Sequence, residues 1–434
     1  MRTRAVVAGA ALALLAAGGC AGPDRRAAPR VVIIGIDGFD WNLVDPLVAR
    51  GTMPALADLM RRGTRADLLT LVPLEKSPVI WTTIATGRLP AEKGRGFLVP
   101  AEGDDGTARQ VYTAWHRTTR AFWNILSDAG VRVSVMGWLE TWPAETIDGT
   151  IVTDYVKYFV AQGGGGAGEV GRTHPPSLEG EIAALLVRPD SIPDASLRIF
   201  LGEDVGANPP RNVRDGLNSL RWIWAGDLTF AAIAREFLRS RPEDVMAVYL
   251  RGPDAVCHQF WGDRDRFAAG DTTLPARVFG ETIDRYLEET DRLLAAILAE
   301  IDLRRTSVLM VSDHGFQGPR VGIDLSAKQG IYMHREIGTV LLAGPWAAAE
   351  GAKVPGARVQ DILPTLLHAL DLPVGADLDG EVALPLLGVE GGRNRPVRTI
   401  PTWETSPLPR AGEAPESPVA REIREQVEAL GYVE

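Results

Sequence analysis

Cysteine is nearly absent from this chain, with two residues in 434. Two cysteines exclude a disulfide framework and an all-cysteine zinc site. Positive charge is in deficit: 46 Lys and Arg stand against 56 Asp and Glu, for a net charge of −10. A dedicated nucleic-acid binder carries a basic face, so nucleic acid is not an expected partner. Histidine is scarce at six, which makes any grouping of histidines with carboxylates informative. The sequence also lacks internal repeats and long runs of like charge, which removes solenoids and charged tails. What is there, 45% apolar and 24% charged residues, is ordinary globular composition.

The N-terminus is of a different character. Arg2 and Arg4 precede an Ala- and Leu-rich stretch over 5–17, and Ala17-Gly18-Gly19 leads into Cys20. The stretch is too short and wrongly flanked for a membrane span, and 1–19 reads as an export signal. The small residues before Cys20 resemble a bacterial lipoprotein signal, with Ala17 standing where such signals usually carry Leu. Lipidation would make Cys20 the mature N-terminus and membrane attachment point, followed by a tether over 20–29. The plain alternative is a secretory signal with a nearby cysteine. Either way the working domain is expected outside the cytoplasm, in the periplasm or on the outer surface, and Cys257 is left without a disulfide partner.

From residue 30 to about 392, strand-like and helix-like segments alternate, the pattern of an α/β fold with a central, largely parallel sheet flanked by helices. Residues 31–36 form a continuous apolar, β-branched run, as a strand buried on both faces requires. Further strands are expected at 131–136, 244–250, 306–312 and 339–343. Helices are expected at 54–62, 120–129, 228–239, 282–300 and 359–370. From about 159 to 226 the rhythm breaks, with Gly163 to Gly166, Pro175-Pro176 and Pro209-Pro210 and no clear strand. That stretch reads as an inserted cap over the active face. Residues 393–434 form a C-terminal extension with an expected amphipathic helix around 420–430.

Chemistry gathers where these strands end. In open α/β sheets, sites form beyond the carboxyl ends of the strands, where loops converge. Val31 to Ile36 leads into Asp37; Val248 to Pro253 leads to Asp254 and, four residues on, His258; Val308 to Ser312 leads to Asp313-His314-Gly315; and His334 precedes the 339–343 strand. A spacing of i, i+4 puts Asp254 and His258 on one helical face, suited to one ion. Each piece alone has a bland reading as a cap, an exposed ion pair or a core histidine; their joint order carries the inference. Ser77-Pro78 opens an apolar helix-like run ending at Thr86-Gly87, so Ser77 reads as an N-cap at a helix start, where free N–H groups favour a phosphoryl or sulfuryl group. Arg251 and Lys328 are two cations that could neutralise such a group.

With these pieces in place, the sequence resembles the alkaline phosphatase superfamily, and within it the type I phosphodiesterase/nucleotide pyrophosphatase branch. The likeness runs from about 30 to 380 and includes Asp361-Ile362-Leu363-Pro364-Thr365-Leu366 and Asp379-Gly380. It implies an alkaline phosphatase-like fold and two zinc ions bridging a shared substrate oxygen. Asp254, His258 and His334 would hold one ion, and Asp37, Ser77, Asp313 and His314 would surround the other. Mixed His and carboxylate donors suit zinc, with manganese or another divalent ion also open. Ser77 would be the activated nucleophile, attacking phosphorus to form a covalent phospho-enzyme that is then hydrolysed.

The chain departs from the family at Lys93, where members often carry His before Gly, and at Pro78-Val79-Ile80-Trp81, where phosphodiesterases carry Phe-Pro-Asn-His. The segment after Ser77 also lacks the Cys/Ser-x-Pro-x-Arg pattern of sulfatases. The expected function is hydrolysis of phosphate mono- or diesters. A phospho-headgroup transferase acting on envelope lipids or glycans, and a non-catalytic metal-binding surface lipoprotein, are the alternatives. The sequence carries no indication of oligomeric state.

Overall fold

The computed structural model describes residues 29–90, 98–100, 109–111, 113–157, 171–318 and 333–408. The export signal, Cys20, Lys93, Lys328 and the helix expected at 420–430 lie outside them. Among the described residues no helix is long and apolar enough to cross a membrane.

Six consecutive buried residues, Val31–Ile36, form the central strand. Val245–Leu250 and Ser307–Val311 flank it, both parallel. Beyond Val245–Leu250 come Val133–Met136 and Gly149–Val152, also parallel, and the edge is closed by antiparallel Thr173–His174. On the other side Ile337–Ala343 runs antiparallel to Ser307–Val311 and to Gly63–Leu69. Two short strands, Ala352–Lys353 and Ala357–Arg358, lie parallel to Gly63–Leu69 and complete a ten-stranded sheet. The expected fold class is therefore the observed one.

Side chains alternate across the strands, so each apolar run supplies two cores. Val32, Ile34 and Ile36, with Met246, Val248 and Met310, pack under the helices Arg211–Ser240, Gly252–Ala268 and Thr282–Leu298. Val31 and Ile33, with Ala247, Tyr249 and Leu309, pack under Ser77–Thr86, Phe122–Asp128 and Ile362–Ala369. The register sets Ile36 opposite Leu250 and Gly35 opposite Val311. Three neighbouring strands thus release their next residues at one end of the sheet, which is what positions the site.

Beside elements the sequence did not mark, such as the strands Gly63–Leu69 and Gly149–Val152 and the helix Trp41–Ala49, two differ from expectation. The helix expected at 228–239 begins at Arg211 and runs for 30 residues. Val213, Leu217, Leu220 and Trp224 continue its buried stripe through Gly216 and Gly226, so burial overrides two weak helix formers. Position 226, the expected end of the insertion, falls inside that helix. Thr173–His174 supplies a strand within the stretch where none was legible. At the C-terminal side, Thr399–Ile400 pairs with Val374–Gly375, docking the start of the extension on the domain.

Candidate metal centre and nucleophile

Asp37 is fixed by the strand it follows. Its N–H donates to the Leu250 carbonyl at 3.0 Å, and its Oδ2 accepts from the Tyr249 hydroxyl. The chain then turns at Gly38, whose φ is 64°; a β-carbon there would sit 3.0 Å from Asp254 Cα. Only glycine combines that backbone with that approach. The Gly38 N–H donates to Asp313 Oδ1 at 3.3 Å and the Phe39 N–H to Ser312 Oγ at 2.8 Å. Adjacent strand ends are stitched together by these bonds.

Asp254 and His258 ride on Gly252–Ala268, with His258 Nε2 3.1 Å from Asp254 Oδ1. The start of this helix is held from across the core: Asp227 accepts from the N–H groups of Arg251 and Gly252 at 3.1 Å, and from the Tyr286 hydroxyl at 2.9 Å. His334 arrives from the short strand His334–Arg335, paired with Gly315–Phe316, and its Nε2 lies 3.0 Å from that of His258. The rings of His314 and His334 stack at 3.5 Å between centroids.

Ser77 requires a correction. The N-cap position belongs to Lys76, whose carbonyl takes the first helical hydrogen bond, and Ser77 is the first helical residue. Pro78 occupies the second helical position, one place later than the sequence rule assumed. Ser77 is buried, and its Oγ lies 3.2 Å from His314 Nε2. The helix is seated by Trp81, fully buried and edge-on to Trp138 and Tyr249 at 5.0 and 4.9 Å. A β-carbon on Gly35 would come 2.8 Å from the Trp81 ring, so the bare strand backbone is what lets the ring in. Trp81 is a packing residue.

The structure brings Asp37, Ser77, Asp254, His258, Asp313, His314 and His334 into one buried cluster. His314 Nδ1 faces the Gly315 carbonyl at 3.0 Å, which requires the proton on Nδ1 and leaves the Nε2 lone pair available. Around that Nε2 lie Ser77 Oγ at 3.2 Å, Asp313 Oδ2 at 3.3 Å, Asp37 Oδ1 at 3.4 Å and Asp254 Oδ1 at 3.8 Å. Among the described residues, two groups have donor atoms all within 4.8 Å of one another: Asp254, His258 and His334, and Asp37, Asp254 and His314. The first is the trio expected from sequence. In the second, Asp254 takes the place expected for Asp313, which stands beside the group.

The pocket's electrostatics call for a cation. Asp37 Oδ1 and Asp313 Oδ2 are buried and make no hydrogen bond among the described residues, an arrangement costly without a positive partner. Burial, then the Asp254 charge, push the Asp37 carboxyl above its ordinary range. Burial, then the Asp37 charge, push Asp313 well above it. Burial acts on Asp254 too, but His258, His334 and His314 together outweigh it and hold that carboxyl well below the usual range. Burial pulls His314 down to about 3 and His334 to about 4, so both rings are neutral donors near pH 7. Buried carboxylates beside neutral imidazoles suit a divalent ion bound through oxygen and nitrogen.

The remaining histidines satisfy local needs: His116 with Thr113, His174 with the Ile147 carbonyl and His368 with the Gly392 carbonyl. Cys257 is a buried free thiol. Asp361 and Asp379 hold backbone turns, accepting from the N–H groups of Glu381 and Leu89 at 2.8 Å. Sequence reasoning missed Tyr249 and Asp227. Tyr249 reads as one more apolar strand residue, and only its hydroxyl distinguishes it within Val245–Leu250. Asp227 sits in the interior of an otherwise apolar helical stripe, which is the signal that could have found it.

Residues 31–353 match the family model described as type I phosphodiesterase / nucleotide pyrophosphatase. No curated protein matches the chain. Among solved structures, the 2-O GAG sulfatase BT1596 shares 14% identity at a TM-score of 0.50, covering 83% of this chain and 74% of that one. Human ectonucleotide pyrophosphatase / phosphodiesterase 5 shares 11% identity at a TM-score of 0.47, over 82% and 99% of the two chains. Phosphonoacetate hydrolase from Sinorhizobium meliloti 1021 shares 19% identity at a TM-score of 0.37, over 68% and 58%. At these identities the sulfatase likeness speaks to fold alone.

Proposed function

The chain belongs to the type I phosphodiesterase / nucleotide pyrophosphatase family, a family of phosphoester hydrolases, and we propose that it hydrolyses phosphate esters with Ser77 as nucleophile at a site for two divalent ions, zinc first among them. The observation that carries this reading is the Ser77 hydroxyl 3.2 Å from His314 Nε2, inside a buried ring of three aspartates and three histidines. Asp254, His258 and His334 would hold one ion, and Asp37, Asp313 and His314, beside Ser77, the other. When bound, such ions neutralise the carboxylates and stabilise charge on the phosphoryl oxygens.

The chain's own residues supply position. The helix start aims Ser77 and adds positive potential where a phosphoryl group would sit. The Ser77 oxygen bonds to phosphorus as the bond from phosphorus to the departing oxygen breaks; the serine proton passes to solvent and the departing oxygen takes one up to leave as the alcohol. Water then cleaves the Ser77–phosphoryl bond and regenerates the serine. Tyr249 holds Asp37, and Asp227 holds the turn that carries Asp254.

The N-terminal pattern supports a second part of the proposal: export with lipidation at Cys20, which would place this activity at a cell-envelope membrane. The decisive experiment combines metal analysis of purified protein with turnover of aryl phosphate mono- and diesters, with and without zinc, for wild type and Ser77→Ala. Two divalent ions per chain and loss of turnover in the variant are expected. Protein without metal after mild purification, or an active Ser77→Ala, would overturn the mechanism.

A further inference from the structure

A cavity of about 300 Å³ opens beside the site. Tyr249, whose hydroxyl donates to Asp37, forms part of its wall, and so do Arg251 and Gly252, just ahead of Asp254. Arg251 and Lys157 bring positive charge here, beside the Asp227 carboxylate that holds the Arg251 and Gly252 N–H groups. Val187 from the inserted region, with Trp222, Ile223 and Phe230 from the long helix Arg211–Ser240, gives the cavity apolar surface, beside the polar Asn218, Ser219 and Gln259. The lining thus offers cations for an anionic group and apolar surface for a hydrocarbon group.

Gly226 lines the same cavity from the middle of that helix. Glycine is the least favourable residue apart from proline in a helix interior, so its presence needs a reason. Crowding is not the reason: a β-carbon there would meet only Lys157 Cδ, at an ordinary 3.6 Å. What the missing side chain leaves is open space in the cavity.

We propose that this cavity binds the apolar organic group of the phosphoester, an aryl or compact alkyl moiety, while Lys157 and Arg251 face its phosphoryl end. The proposal rests on the phosphoesterase reading above and adds the class of substrate it selects. A volume of about 300 Å³ lies at the small end of ligand pockets, enough for a ring or short branched chain.

Binding tests this separately from turnover. The zinc-loaded full chain is titrated calorimetrically with phenylphosphonate and with methylphosphonate, neither of which has an ester bond to break. Wild type is expected to bind phenylphosphonate at least tenfold more tightly. Gly226→Leu, which fills the cavity, should bring the two affinities within about threefold, and Gly226→Ala should fall between. Thermal midpoints at or above wild type would show that both variants fold; if the leucine variant does not, the alanine variant decides. Equal affinities in wild type, no binding of either phosphonate, or an unchanged ratio in the folded variants would each overturn the proposal. The expected pattern from a protein that turns over no phosphate ester would uphold the cavity and reject the hydrolase reading.

Discussion

Asp227 and Gly252 are joined by a carboxylate that accepts one backbone N–H with both oxygens, each at 3.1 Å. Asp227 belongs to the long helix and Gly252 to the turn that launches Asp254 and His258, so this bond sets where two candidate ligands begin. The price of that grip is a buried charge. Burial raises the Asp227 carboxyl to about 6 against an ordinary 3.8. A carboxyl raised in the folded state favours folding fully below its unfolded pKa, and that contribution is lost as pH rises through about 6. Its loss amounts to about 3 kcal/mol. Asp227→Asn, keeping an acceptor for the two N–H groups, should flatten this part of the pH dependence. Urea midpoints of metal-free protein between about pH 4 and 7.5 measure it; parallel curves for both proteins would refute the assignment.

Metal affinity should fall with acidity. Asp37 and Asp313 are both raised by burial, so an ion binding them must displace protons. His314 at about 3 and His334 at about 4 are already neutral above pH 5 and add little slope. Competition against a chromogenic chelator from about pH 7.5 to about 5.5 is expected to show affinity dropping about tenfold or more per pH unit. A flat profile would mean that the two carboxylates are not ligands.

Much of this centre was legible beforehand, for a physical reason. Buried parallel strands must be uninterrupted apolar runs, so a polar residue after such a run marks a strand end. That is how Asp37, Asp313-His314 and Asp254 stood out. Chain order carries no distances, however, and the sharing of Asp254 between two donor groups could not be read from it. Tyr249 and Asp227 were hidden because each serves the site from a position that also reads as core. The extent of the long helix was hidden by Gly226, which punctuates the sequence without ending the helix.

Ser77→Ala is expected to lower turnover of an aryl phosphate by about three orders of magnitude or more. The hydroxyl's described contact is with His314, so the change should alter stability by no more than about 1 kcal/mol. Steady-state kinetics beside thermal melts would separate the two effects. A variant that loses both together would assign Ser77 to structure.

Gly35→Ala examines the seat of the nucleophile helix. The added methyl would lie 2.8 Å from a ring carbon of Trp81, which Trp138 and Tyr249 hold from other sides. Overpacking of this kind costs about 1–3 kcal/mol. Denaturant midpoints should fall accordingly, and kcat should fall as well because Ser77 lies one turn from Trp81. An unchanged midpoint would mean that the strand and ring separate without cost.

Ser77 and His314 meet across 237 positions of sequence, and His258 and His334 across 76. No fragment that stops short of spanning Asp37 to His334 contains the full donor set, whatever secondary structure it forms. The antiparallel return of Ile337–Ala343 to the sheet is the last strand pairing that involves the Asp313-His314 arm. Capture of two ions, one of them by Asp37 and His314, would therefore certify completed topology. Stoichiometric metal retained through gel filtration would count natively threaded molecules directly, without a label and without knowledge of the substrate.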